Sequence, residues 1–215
     1  MNHRKWIALA GVSSILGGLL AILLTLPFAA AYHIAYSGYD PIPIWFNSLQ
    51  PILQPLLHFG SPTAVYNTYG RIFDLVYLLL LPPALALHLL QRPVDSKAEK
   101  WGFLLTVIGL VATFIGVAGD YWADGVTFFL ELLGLLILCA GSTLYGIAFL
   151  RSHFIPSWCS WLLILCAPGY FIGSVLIGHI PSGTTFVVAL AYVGIGHVLL
   201  FRKTVPSLAQ EQRAA

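Results

Sequence analysis

The chain has 215 residues, of which 59% are hydrophobic and only 8% are charged, and its formal net charge is +2. A soluble domain carries about 25% charged residues, so this composition excludes a water-soluble globular protein and predicts an integral membrane protein. The apolar runs are continuous rather than alternating, which excludes a transmembrane β-barrel and predicts an all-α bundle in contact with lipid.

Six segments are apolar over the roughly 20 residues that a helix needs to cross a bilayer. In chain order they are residues 6–34, 71–91, 101–120, 126–150, 158–179 and 184–201. They predict one transmembrane domain over residues 1–215, built as a six-helix bundle of three helical hairpins.

The first segment begins with basic residues and ends near Ala29-Ala30-Ala31, as a secretory signal peptide does. Its apolar run from Trp6 to Phe28 is, however, longer than the roughly 7–15 residues of a signal-peptide core. We therefore expect this segment to be retained as a membrane helix.

The longest connection, residues 37–70, contains an amphipathic segment at about 44–59. Its polar residues fall on one helical stripe: Asn47, Gln50, Gln54 and His58. This pattern predicts a helix that lies in the outer membrane interface, with Trp45 at the level of the lipid headgroups. Such a helix is either a packed connector or a lid over the outer end of the bundle.

Two of the six segments contain proline near their middle, at Pro82-Pro83 and at Pro168-Gly169. Because proline removes a backbone donor, both helices are expected to be interrupted there. The second and fifth helices are equivalent in an inverted repeat of three plus three helices, which is typical of transporters. The alternative is that both are ordinary kinks.

A different repeat matches more residues. Trp101 precedes Phe114 by 13 residues, and Trp158 precedes Phe171 by the same distance. Each Phe is followed by Ile-Gly. This spacing favours a parallel duplication of a helical hairpin over the inverted repeat.

The basic residues indicate the orientation of the chain. Alternating connections place only Arg71 on one side and nine basic residues on the other: Arg4, Lys5, Arg92, Lys97, Lys100, Arg151, Arg202, Lys203 and Arg213. Because positive charge accumulates on the cytoplasmic side, we expect both termini to be cytoplasmic in a plasma membrane.

Most of the acidic residues fall on the outer side. Glu131 shares a helical stripe with Gly134 and Gly141, and Asp120 shares a face with Gly109 and Gly116. Small residues mark helix contacts in membranes, so both acids are expected to face the bundle interior. The predicted cation- or solute-binding set is Asp74, Asp120, Asp124, Glu131 and Arg71. The competing interpretation places the acids in the membrane interface, with Asp74 paired to Arg71 one turn away.

Histidines extend this hypothesis in two directions. His33 and His179, together with Asp120 and Glu131, would form a site for a divalent metal ion at the outer side. The same two histidines and an inner pair would alternatively ligate two b-type haems at matching depths: His33, His179, His88 and His197. Hydrogen-bonding histidines are the simpler explanation.

The segment LRSHFIPSWCSWLLIL, residues 150–165, carries a family resemblance. A helix ends in Leu150-Arg151, and a short loop leads to Pro156-Ser157-Trp158 at the start of the next helix. This junction between helices 4 and 5 resembles that of uncharacterised six-helix bacterial integral membrane proteins. The resemblance implies a bacterial plasma-membrane protein and carries no function.

Four classes of function are open. The first is an accessory subunit of a membrane complex, which binds other membrane subunits or itself. The second is a carrier or binding protein for a small cation or polar solute. The third is a metal-dependent membrane hydrolase, and the fourth is a haem b electron-transfer protein. The chain has no nucleotide-binding loop, no hydrolase motif and no basic patch for nucleic acid, and the expectation leans away from an enzyme.

Overall fold

The computed structural model describes residues 3–37, 41–91, 96–123, 125 and 127–201. Within these ranges the chain forms eight helices and no strand. They are α1 (His3–Ala35), α2 (Phe46–Leu57), α3 (Pro62–Gln91), α4 (Lys97–Trp122), α5 (Phe128–Ser152), α6 (Ser157–Ile164), α7 (Cys166–Ile177) and α8 (Ser182–Phe201).

Five of these helices, α1, α3, α4, α5 and α8, are long and apolar enough to cross a membrane. The bent pair α6–α7 makes a sixth span if its two parts are counted as one. The prediction of an all-α, polytopic membrane protein is confirmed. Large apolar side chains such as Leu23, Phe129 and Val175 are 71%, 84% and 79% exposed, which is compatible with contact to lipid.

The length of the apolar segments predicted where the helices lie but not the residues at which they begin and end. The second long helix begins at Pro62 rather than at residue 71. Proline suits a first helical turn, and the buried Val65, Tyr66 and Tyr69 extend the core-facing side of this helix. At α4 the start is set by Ser96, whose Oγ accepts a hydrogen bond of 3.1 Å from the backbone N–H of Glu99.

The spans are arranged as a closed ring. Helix α1 packs on α3 and α8, α3 packs on α4, and α4 packs on α5. Helix α5 packs on α6 and α7, and these pack on α8 to complete the ring. Across the ring, the hydroxyls of Tyr77 on α3 and Thr185 on α8 are 2.8 Å apart. The bundle therefore has a partly polar interior.

Helices α4 and α5 meet along a glycine seam, which consists of glycines packed against the backbone of the opposite helix. A Cβ built on Gly109 would lie 2.5 Å from the Cα of Leu138, and one built on Gly134 would lie 2.7 Å from Oγ1 of Thr113. Since real Cβ atoms do not approach this closely, the seam requires glycine. Its contacts keep one antiparallel register: Gly102 with Tyr145, Gly109 with Leu138, Gly116 with Glu131, Thr113 with Gly134, and Thr106 with Gly141.

Helix α3 is continuous through Pro82-Pro83, so the predicted interruption of this helix is wrong. Pro83 lacks the N–H that would bond the carbonyl of Leu79. Ser13 on α1 replaces it, because its hydroxyl donates a hydrogen bond of 2.7 Å to the Leu79 oxygen. A neighbouring helix thus satisfies the backbone group that the proline leaves open.

The predicted fifth helix, 158–179, is broken, with a bend of 60° between α6 and α7 at Leu165. Pro168 cannot bond the carbonyl of Ile164. Thr143 on α5 bridges the break. Its hydroxyl donates to the Ile164 oxygen at 3.1 Å and accepts from the N–H of Ala167 at 3.2 Å. One side chain therefore satisfies backbone groups on both sides of the bend.

The amphipathic segment predicted at about 44–59 forms α2. Phe46 and Leu57 are buried beneath it, while its polar stripe is exposed. Just before α2, the indole Nε1 of Trp45 donates to the Leu176 oxygen of α7 at 3.1 Å. At its end, the Tyr69 hydroxyl of α3 donates to the Leu56 oxygen at 2.7 Å. The segment therefore lies across one end of the bundle.

Candidate functional site

We call this end of the bundle, where α1, α4 and α7 finish and α3, α5 and α8 begin, the His179 end. His179 lies in the short connection between α7 and α8 and is 4% exposed. Its ring centroid is 4.5 Å from that of Phe28 and 4.9 Å from that of Tyr32, both on α1. The ring of Tyr66 on α3 is 5.7 Å away. Two helices, α1 and α3, thus surround one imidazole with aromatic rings.

A chain of hydrogen bonds runs through this cluster. The Oγ of Ser182 lies 2.9 Å from Nδ1 of His179, and Nε2 of His179 lies 3.3 Å from the Tyr66 hydroxyl. The Tyr66 hydroxyl is 2.8 Å from the hydroxyl of Tyr121 on α4. Both ring nitrogens of His179 are therefore engaged by hydroxyl groups.

Burial makes His179 a neutral imidazole. The loss of hydration lowers the pKa of His179 from 6.5 to about 3, and the nearby His33 lowers it further in the same direction. At neutral pH one ring nitrogen of His179 donates a hydrogen bond and the other accepts one. Because hydroxyl groups can donate or accept, the hydrogen bonds from Ser182 through His179 and Tyr66 to Tyr121 can all point in either direction. No positive charge is held at this position.

A cavity of about 500 Å³ lies next to the aromatic cluster. Tyr32, Tyr66 and His179 form its aromatic wall, and Phe128, at the start of α5, and Ser174 on α7 also line it. Helix α5 continues from Phe128 into the bundle interior. Residues three apart lie on one helical face, so Glu131 lies one turn deeper than Phe128 on the same side.

Glu131 is the most unusual side chain of the site. It is 0% exposed, and both of its carboxylate oxygens are without a hydrogen-bond partner among the described residues. Gly116 allows α4 to close over its backbone. Two acidic residues, Asp120 and Asp74, act on Glu131 electrostatically.

Two further acids lie near Glu131. Asp74 on α3 is 6% exposed, and its Oδ1 has no partner in the described part of the chain. Asp120 is half-buried at the end of α4, within electrostatic reach of the hydroxyls of Tyr66 and Tyr121. Asp124, the remaining predicted acid, lies outside the described residues.

Arg71 does not pair with Asp74, in contrast to the local pair that their spacing allowed. Its Nε donates to the Tyr121 backbone oxygen at 3.0 Å, and its guanidinium lies 4.7 Å from the centroid of the Trp122 ring. His88 and Glu99 form an ion pair at the other end of the bundle. Arg71 therefore anchors the end of α4 and leaves the acids uncompensated.

The predicted metal set is only partly brought together. His33 is buried, packs against Tyr32 and Phe46, and lies close to His179. Within the described ranges, however, no three His, Cys, Asp or Glu residues are placed to hold a metal ion. The set His33, His179, Asp120 and Glu131 gains no support from the structure.

The haem hypothesis also gains no support, because two of its four histidines, His88 and His179, are engaged by other side chains. Nδ1 of His88 is 2.7 Å from Oε1 of Glu99, and its ring stacks on Phe103 at 3.8 Å. His179 has hydrogen bonds at both nitrogens. His197 is exposed and lines a separate cavity of about 510 Å³ at the end of the bundle opposite the His179 end.

Sequence reasoning missed Tyr66, Tyr121 and Ser182. Tyrosines near the ends of membrane helices usually belong to the interfacial aromatic belt, so nothing singled these two out. One signal was present: Tyr66, Tyr69, Phe73 and Tyr77 recur at helical spacing, which indicates an aromatic buried face on α3.

Fold and site together define a multi-pass helical membrane protein with a polar, acidic interior at one end. Residues 121–201 match the model of a family described as "Domain of unknown function (DUF4386)". No curated protein and no solved structure matches the chain. The matched stretch contains the Leu150–Trp158 junction, Glu131 and His179, and the resemblance to uncharacterised proteins without an assigned function is confirmed.

Proposed function

We propose that the protein binds, or carries across the membrane, a small positively charged solute at the His179 end of the bundle. The observation that supports this proposal is the buried carboxylate of Glu131, whose two oxygens have no hydrogen-bond partner in the part of the chain that the structure describes. A buried charge is tolerated when a proton or a bound cation neutralises it. A carboxylate held in this way by a fold is a candidate ligand for a cation.

The surroundings favour a cation over an anion. Asp74 and Asp120 add negative charge near Glu131, and Arg71 is directed to Tyr121 and Trp122 instead. His179 is neutral because burial depresses its pKa to about 3. The cavity at the same end of the bundle is lined by Phe128, which lies one turn before Glu131 on α5, and is the proposed entrance for the solute.

The distribution of basic residues supports an orientation in which the His179 end faces outward and both termini are cytoplasmic. In that orientation the cavity collects its solute from outside the cell. Pro41, which precedes α2, and Ser174 and Val175 of α7 would then line the path of the solute. The metal-dependent hydrolase is not carried forward, because no three possible metal ligands converge among the described residues. The haem and accessory-subunit hypotheses are not carried forward, because neither of them uses Glu131.

The test compares two buried glutamates in the purified protein in detergent. Glu131→Gln removes the unpartnered charge, so without added cation its melting temperature should be equal to or above that of the wild type. Glu99→Gln is the matched control. It loses the charge-assisted bond to His88, which is worth about 1.5–3 kcal/mol, and should melt lower.

Each variant is then titrated with the chlorides of sodium, potassium, magnesium and choline. A cation that binds the native state raises the melting temperature with concentration. We expect this stabilisation in the wild type and in Glu99→Gln, and its loss in Glu131→Gln. If no salt stabilises the wild type more than Glu131→Gln, the proposed function is wrong.

A further inference from the structure

We infer that the solute is an organic ammonium ion rather than a metal ion. This inference rests on the proposed function and adds the chemical class of the ligand. It is supported by the aromatic wall of the cavity, the donor groups around it and its volume.

The wall of the cavity suits a cation with an apolar surface. Tyr32, Tyr66 and Phe128 present aromatic rings to it, and the ring of His179 lies among them. Aromatic faces attract ammonium groups through the negative potential of their π-systems, and rings around one space form the aromatic cages that bind alkylammonium ions. His179 does not repel such an ion, since its lowered pKa keeps it neutral.

The donor groups do not suit an inorganic ion. Calcium takes six to eight oxygen ligands and magnesium a near-octahedral set. Here the hydroxyls of Tyr66 and Tyr121 are hydrogen-bonded to each other, and the Tyr66 hydroxyl is also hydrogen-bonded to Nε2 of His179. Within the described ranges no three acidic, histidine or cysteine side chains converge as metal ligands. An alkylammonium ion needs no such shell, because its charge is spread over methyl or methylene groups.

Volume and charge placement agree with this class. A cavity of about 500 Å³ lies within the range of roughly 300–1,000 Å³ that holds organic ligands. Glu131 lies one turn further along α5 than Phe128, which lines the cavity, and both of its buried oxygens lack a hydrogen-bond partner among the described residues. The aromatic wall would contact the methyl groups of the ligand while Glu131 compensates its charge from below.

The experiment uses choline and its neutral isostere, 3,3-dimethyl-1-butanol, which has the same shape without the charge. Binding is measured by isothermal titration calorimetry with the full chain in detergent. Choline should bind and the isostere should bind at least tenfold more weakly. Equal binding of the two would show an apolar pocket and overturn the inference.

Variants of Tyr32 separate the ring from its hydroxyl. Tyr32→Phe should retain choline affinity, whereas Tyr32→Leu should weaken it roughly five- to thirty-fold through loss of the ring face. Trp161→Leu, an exposed aromatic residue on α6, is the matched control and should leave the affinity unchanged. Equal affinities of Tyr32→Phe and Tyr32→Leu would contradict the aromatic contribution.

The outcomes also separate this inference from the proposed function. If sodium, potassium or magnesium binds in a Glu131-dependent way and choline does not, the ligand class is wrong and the cation site stands. If none of these ions binds, both are wrong. Choline binding that survives Glu131→Gln would place the ligand elsewhere and overturn both.

Discussion

Gly116 of α4 lies against the backbone of Glu131 of α5, so closely that a Cβ on Gly116 would come 2.5 Å from the Glu131 Cα. The backbone of α4 at Gly116 therefore packs directly against the backbone of α5 at Glu131. Any residue larger than glycine at position 116 would separate α4 from α5 where the acidic group is buried.

The glycine seam should be sensitive to single methyl groups. Gly109→Ala would place its Cβ against the backbone of Leu138 and should lower the free energy of unfolding by roughly 1–3 kcal/mol. Gly60→Ala is the control, because its Cβ would meet only ordinary contacts, the nearest 3.7 Å away. Its stability should change by less than about 0.5 kcal/mol. Equal effects in thermal unfolding would show that the seam can relax.

Ser13 should matter because of Pro83. Ser13→Ala removes the donor to the Leu79 oxygen and should destabilise the protein by about 1 kcal/mol. Pro83→Ala restores a backbone N–H that can bond the same oxygen. The double variant should therefore lose less stability than the sum of the two single variants. Additive losses would mean that the serine does not compensate for the proline.

Thr143 should be the corresponding residue at the α6–α7 break. Thr143→Val keeps the shape of the side chain but leaves the Ile164 oxygen and the Ala167 N–H without their partner. We expect a loss of about 1–3 kcal/mol, measured by thermal unfolding in detergent. Thr68→Val is the control, since its hydroxyl bonds the carbonyl of Ala64 within its own helix at an exposed position. A Thr143→Val protein as stable as this control would contradict the bridging role.

His179 should make the stability depend on pH. Its pKa is about 3 in the fold and 6.5 as the reference value, so between these values the unfolded chain binds more protons. The contribution of His179 to the free energy of unfolding is fully present above pH 6.5 and is lost as the pH falls toward 3. The loss is at most about 1.4 kcal/mol per pH unit. Melting curves of the wild type should show a steeper acid decline than those of His179→Gln. Parallel curves would show that His179 is hydrated in solution.

The proposed orientation can be tested with single introduced cysteines. The three native cysteines, Cys139, Cys159 and Cys166, are buried and give a low background. In intact cells, an impermeant thiol reagent should label Thr63→Cys at the His179 end and leave Lys97→Cys at the other end unlabelled, since both positions are exposed. Labelling of Lys97→Cys alone would reverse the topology.

The spans could be predicted from the sequence because apolar length alone identifies them, and α2 could be predicted from its polar stripe. The effect of each proline on its helix could not be predicted from the sequence. Pro83 leaves α3 continuous and Pro168 accompanies a break, and in both places the open carbonyl is satisfied by a hydroxyl from another helix. Such partners are distant in sequence, so local pattern carries no information about them.

The candidate site divides in the same way. Glu131 and Asp120 could be singled out because a charge on a helix face with small residues is unusual in a membrane segment. The pairing of Arg71 with the end of α4 could not be anticipated, since an acid one turn away offered a local alternative. The roles of Tyr66 and Tyr121 depend on their position around His179, which only the closed ring of helices establishes.

The bridged break has a consequence for how the protein is made. Helices α6 and α7 contain 8 and 12 residues, or about 12 and 18 Å, and neither alone spans a hydrocarbon core of about 30 Å. The ribosome releases the chain from its N-terminus, so Thr143 on α5 enters the membrane before either piece. The Thr143 hydroxyl is therefore already in the membrane when the Ile164 oxygen and the Ala167 N–H, which it hydrogen-bonds, are inserted.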